Sequence, residues 1–142
     1  MRERCAREME YEAIHIGDSV EFSREVSTAD VDNFAELTGD FNPIHMDEQY
    51  ASETRFKGRI VHGMLVGSLF STLVGMYLPG KKSLYLSQSF AFKKPLRLGT
   101  RVKVKGSVIG KVDALKILVI KTEARNENDE IVVEGEAKVR VT

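Results

Sequence analysis

The sequence predicts an α+β fold in which a curved antiparallel sheet wraps around one long central helix. Three observations predict it. Ile60 to Leu78 runs for 19 residues without Asp, Glu, Lys or Arg. After Pro79-Gly80 the apolar pattern switches to a period of two and holds it through four runs. The turns between those runs are short, which favours antiparallel pairing. A helix that is apolar all round belongs in a core or a membrane, and a strongly curved sheet supplies the core.

The elements follow in order. Val20, Phe22 and Val26 alternate with polar residues and predict a first strand. Ser27 or Thr28 can cap the helix that follows, whose apolar face is Val31, Phe34, Ala35 and Leu37 and whose end is Gly39. Asp40 to Asp47 is a loop, because Pro43 biases Asn42 away from the helical region. Asp47 caps a short helix over Glu48 to Ser52. The long helix runs from about Gly63 to Tyr77 and stops at Pro79-Gly80. Leu84, Leu86, Phe90 and Phe92 then share one strand face, and Val102, Val104 and Val108 another. Leu115, Ile117 and Val119 lie opposite Leu118 and Ile120, a pattern of burial on both faces. Ile131, Val133, Ala137, Val139 and Val141 alternate with charged residues in the last strand.

The chain of 142 residues fits one domain with one core, residues 1–142, in which charged residues 1–8 are expected to form a disordered extension. Met1 to Glu8 lacks the apolar stretch of a secretory signal. The segment from Ile60 to Leu78 is long enough to cross a bilayer. It nevertheless holds His62, Gly63, Gly67 and Gly75, and basic residues flank both ends, so a buried helix and no membrane association are expected. Lys+Arg and Asp+Glu are 21 each, so there is no field to attract a phosphate backbone and no nucleic-acid partner is expected. Cys5 is alone, which excludes an intramolecular disulfide; a cytoplasmic location is expected.

Two features can carry chemistry. Gly63, Gly67, Ser71 and Gly75 recur every four residues and form a stripe of small residues along the long helix. It admits either a packing partner or a substrate at close range. The loop Asp40-Phe41-Asn42-Pro43-Ile44-His45-Met46-Asp47 brings a carboxylate and an imidazole to one turn, where the pair can deprotonate a water and return a proton. Read alone, the pair favours the plainer reading, in which Asp40 caps a turn and His45 is a satisfied core histidine; the specific signal is the whole string. Gly75 to Lys81 fits a phosphate-loop spacing, but Lys82 stands where Ser or Thr should, and the stretch ends a helix. Asp40, His45, Asp47 and His62 have no spacing specific to a metal, and none is expected.

The string Gly39-Asp-x-Asn-Pro-Ile-His-x-Asp47, with Val61-His62-Gly63-Met64 and Ser71 downstream, closely resembles the MaoC-like (R)-specific enoyl-CoA hydratases. The resemblance covers the chain from about Ile16 onward and implies the hotdog fold, usually as a homodimer. It implies reversible hydration of trans-2-enoyl-CoA to (3R)-hydroxyacyl-CoA, with no cofactor beyond the coenzyme A carried on the substrate. Carried over by position, Asp40 and His45 match the catalytic pair, and Gly63 the residue whose backbone N–H binds the thioester oxygen. Ser71 matches a hydroxyl that orients the aspartate, and Asn42 a supporting loop residue. His62 is expected to be structural, satisfying backbone groups at the helix start. The same resemblance leaves three rivals. A dehydratase acting on carrier-protein thioesters has the same reacting atoms. Many hotdog thioesterases carry a carboxylate on the central helix, and Gly63 to Leu78 has none. A non-catalytic acyl-CoA-binding protein has no use for a base beside a thioester.

Overall fold

The computed structural model describes residues 4–142. Its strands are β1 (Ser19–Val26), β2 (Ser83–Gln88), β3 (Ala91–Phe92), β4 (Thr100–Val112), β5 (Ile117–Arg125) and β6 (Ile131–Val141). They form one antiparallel sheet in the order β1-β4-β5-β6-β2, with β3 also paired to β6. The helices are α1 (Thr28–Thr38), α2 (Pro43–Met46), α3 (Glu48–Ser52) and α4 (Gly63–Thr72), and a π-helical stretch over Leu73–Tyr77 prolongs α4.

The apolar helix is the centre of the core. Val66, Leu69, Phe70 and Leu73 are buried against Val102, Val104, Ala124 and Val133 of the sheet. Further along, Val74 and Leu78 pack with Leu118, Ile120, Ala137 and Val139. Among the described residues no helix is long and apolar enough to cross a membrane.

Several expectations need correction. The apolar run from Leu84 to Phe92 is two strands, because Ser89 leaves the ladder and its backbone N–H donates instead to the Glu136 carbonyl. Leu84 and Leu86 are exposed, so they do not share a buried face with Phe90. Leu37 is 83% exposed and lies off the apolar face of α1. The loop after α1 contains a helical turn, α2, which Pro43 starts at a position that needs no N–H. Residues 1–3 lie outside the described residues. Arg7, expected in a disordered extension, is instead held in place. Its N–H donates to the Met76 carbonyl at 2.9 Å and its carbonyl accepts from the Lys81 N–H at 2.7 Å.

Candidate active site

The site is assembled by caps. The Ser27 hydroxyl and the Asp30 carboxylate satisfy each other's backbone N–H groups and start α1. The helix ends at Gly39 in the left-handed region. Asp40 follows, and its Oδ1 accepts from the Asn42 N–H at 3.2 Å. Asn42 Oδ1 in turn accepts from the Ile44 N–H at 3.1 Å and caps α2, the turn that carries His45. Asp47 caps α3 as expected, accepting from the Tyr50 N–H. Arg59 ties this turn down: it donates to the His45 carbonyl and, at 3.0 Å, to Asp32 on α1.

His45 is half-buried. Its Nδ1 lies 2.8 Å from the Ile60 carbonyl, which can only accept, so Nδ1 carries the hydrogen and Nε2 of the neutral ring is an open lone pair. Burial pushes the imidazole below its ordinary value of 6.5; the Ile60 bond and the Asp40 charge oppose this, and His62 and Arg59 add to it. A base with that tautomer and that direction of shift is neutral and ready at pH 7.

The His62 ring is 2% exposed and stacks on the His45 ring, with centroids 4.0 Å apart. His62 makes no side-chain cap on α4, contrary to expectation. Its Nε2 donates instead to the Asp40 carbonyl at 3.0 Å. One donor atom from each of Asp40, His45 and His62 lies within 4.8 Å of the others. A water between Asp40 and His45 fits that spacing, since each hydrogen bond spans about 2.8 Å. A metal fits less well. His45 Nδ1 and His62 Nε2 already donate to carbonyls, so neither of these atoms is free to act as a ligand.

Gly63 opens α4, and its N–H has no hydrogen-bond partner among the described residues. A helix N-terminus with a free N–H favours a developing negative charge. His45 and Gly63 both line a cavity of about 460 Å³, together with Phe56, Val66, Phe92 and Val133; Arg55, Lys93 and Lys94 are exposed along its rim. Asp40 is half exposed beside this cavity and does not line it. The small-residue stripe serves packing at two of its positions. A Cβ on Gly63 would lie 2.7 Å from the Phe92 ring, and one on Gly67 would lie 2.7 Å from the Phe90 ring.

The structure thus brings Asp40, Asn42 and His45 into one turn, and His45 and Gly63 onto one cavity. It does not bring Ser71 to Asp40 within one chain. His62, the N-cap of α4, pins the Asp40 turn to the start of that helix, and Ser71 lies eight residues beyond Gly63, about 12 Å along the axis. Ser71 is exposed there and makes no hydrogen bond to Asp40. The residues that reading from sequence missed are His62 as a ligand of the Asp40 turn, Ile60 through its carbonyl, and Arg59. Only His62 left a signal, as a histidine immediately before an apolar helix.

Comparison with known proteins places the fold and the family. The (R)-specific enoyl-CoA hydratase of Aeromonas caviae is 38% identical over 133 residues, 94% of this chain and 99% of its own length. The 3-hydroxybutyryl-CoA dehydratase of Methylorubrum extorquens is 37% identical over 95% of this chain and 85% of its own. The solved (R)-hydratase from A. caviae superposes with a TM-score of 0.90 at 38% identity, covering 92% of this chain and 99% of that one. The fold is the hotdog fold. The family profile described as MaoC like domain matches residues 12–131, and the chain belongs to that family.

Proposed function

We propose that this chain is an (R)-specific enoyl-CoA hydratase that reversibly converts trans-2-enoyl-CoA to (3R)-hydroxyacyl-CoA, with Asp40 and His45 as its catalytic pair. The observation that carries the reading is that His45, whose Nε2 is left unprotonated, and Gly63, whose N–H is free among the described residues, line the same cavity. The Asp40 carboxylate and His45 hold one water. His45 takes a proton from it as the water oxygen bonds to C3 and the C2=C3 π bond breaks. The charge moves to the thioester oxygen, where the Gly63 N–H and the α4 N-terminus stabilise it. The pair then returns the proton to C2, so atoms balance without a further reactant. The handedness of the product is taken from the A. caviae relative, which is named for it.

No cofactor is required beyond the coenzyme A of the substrate. Dialysis against EDTA should leave turnover unchanged, and loss of activity restored by a divalent metal would overturn that part. The reading also includes a homodimer. β2 is an edge of the sheet, and it exposes Leu84 and Leu86. An apolar open edge is a hazard that pairing across a two-fold axis removes. The solitary Cys5 and the coenzyme A substrate fit a cytoplasmic location.

A carrier-protein substrate is the second reading. The mitochondrial 3-hydroxyacyl-[acyl-carrier-protein] dehydratase of Arabidopsis thaliana is 32% identical over 87% of this chain. Crotonyl-CoA and a crotonyl carrier protein, assayed side by side, separate the two. Disappearance of the enoyl thioester without release of free thiol supports hydration, and thiol release would move the assignment to a thioesterase.

A further inference from the structure

We propose that His62 is a positioning residue for the hydration, holding the Asp40 turn and the His45 ring in one geometry from the N-cap of α4. The inference rests on the hydratase reading of Asp40 and His45. His62 immediately precedes Gly63, so its backbone position is set by the start of the helix that supplies the oxyanion N–H. From there a single imidazole reaches three neighbours. Its Nε2 donates to the Asp40 carbonyl at 3.0 Å and lies 4.0 Å from Asp40 Oδ2. One face of the ring stacks on His45 at 4.0 Å with the planes 28° apart. Phe34 of α1 packs against the ring at 4.8 Å, tilted by 57°.

Packing alone does not account for a histidine here. Its Nδ1 is buried and has no hydrogen-bond partner among the described residues. Leaving a polar atom unpaired in a core is unfavourable. A phenylalanine would fill the same space and stack on His45 without that cost. What histidine adds is the Nε2–H bond to Asp40. That bond fixes the height of the Asp40 turn relative to Gly63 N–H, while the stack fixes the face of His45. The distance between base, water and oxyanion donor is then set by one rigid group, which is what turnover depends on when reacting atoms must be held to fractions of an ångström.

Three variants separate positioning from packing. His62→Phe keeps the stack and removes the donor. His62→Gln keeps an N–H and removes the aromatic ring. Asp40→Asn with His62→Phe tests whether the effect runs through Asp40. With crotonyl-CoA, His62→Phe should lower kcat roughly ten-fold or more and leave KM within about two-fold. Its melting temperature should not fall. His62→Gln should recover part of the lost kcat. The double variant should fall well short of the product of the two single effects, as expected of residues acting as one unit. Wild-type kcat in His62→Phe would overturn the proposal, and so would full multiplication in the double variant. If His62→Phe does not fold, His62→Gln decides: kcat nearer wild type than that of His62→Ala supports the donor, and equal loss in both contradicts it. Failure of the unsubstituted protein to hydrate crotonyl-CoA would instead defeat the hydratase reading itself.

Discussion

The hydrogen bond from His45 Nδ1 to the Ile60 carbonyl, 2.8 Å long, decides which nitrogen of the ring is free to act as a base. It follows that His45→Gln should cut turnover of crotonyl-CoA by about 10²-fold or more, with a much smaller change in KM. Asp40→Asn should do the same, and the two losses should not multiply, because both residues act on one water. Steady-state kinetics on the two single variants and the double variant check this.

The pH dependence carries a sign. Burial lowers the His45 value below 6.5, so the neutral base survives into mildly acidic solution. The acid limb of the kcat/KM profile should therefore fall below pH 6.5. The same shift makes His45 contribute stability that is present above its unfolded value of 6.5 and lost as pH falls through the lowered folded value. A pH–rate profile whose acid limb sits above the ordinary histidine value would contradict the burial of His45.

The N-terminal segment is structural from Arg7 onward. Besides its two backbone bonds, the Arg7 guanidinium lies 5.2 Å over the Tyr77 ring, and Gly80 leaves no room for a side chain, since a Cβ there would meet the Arg7 oxygen. Removing residues 1–8 should cost about 1–3 kcal/mol, at roughly 1 kcal/mol for each hydrogen bond lost, and lower Tm by several degrees. Thermal melts of the truncated and full chains check it; an unchanged Tm would show that these contacts carry no weight.

The open β2 edge predicts assembly. Sedimentation should report twice the 15.9 kDa of one chain. Leu86→Lys places a charge in the apolar edge and should shift the equilibrium toward monomer, with little effect on the fold of a residue already exposed. A wild-type monomer with full activity would contradict the dimer.

The Phe92 ring against Gly63 predicts a paired effect. Gly63→Ala forces a methyl into that ring and should cost about 1–3 kcal/mol, and adding Phe92→Ala should relieve most of the clash. Melts of the single and double variants test this; a cost that persists in the double variant would place the strain elsewhere.

Much of the fold was legible because hydrophobic period is a local property. The apolar stretch from Ile60 and the alternation in Val102, Val104 and Val108 report directly what is buried. The break at Ser89 was not legible, since it depends on a contact with β6, 47 residues away. Leu37 misled because an apolar residue at a helix C-terminus continues the pattern even where no neighbour covers it. In the site, Asp40, Asn42 and His45 meet because the turn chemistry of Asn42-Pro43 is written in the sequence. Ser71 was carried over by resemblance, and the resemblance holds no distance. Once His62 fixes the Asp40 turn at the start of α4, a residue two turns along the helix of the same chain is out of its reach.

The most direct measurement follows crotonyl-CoA with the unsubstituted chain and with Asp40→Asn in the same buffer, with chiral analysis of the product. The absorbance of the enoyl thioester should fall with the unsubstituted chain, no free thiol should appear, and the product should be (3R)-hydroxybutyryl-CoA. Asp40→Asn should be slower by about 10²-fold. Thiol release, a (3S) product, or equal rates for the two proteins would contradict hydration by the Asp40 and His45 pair.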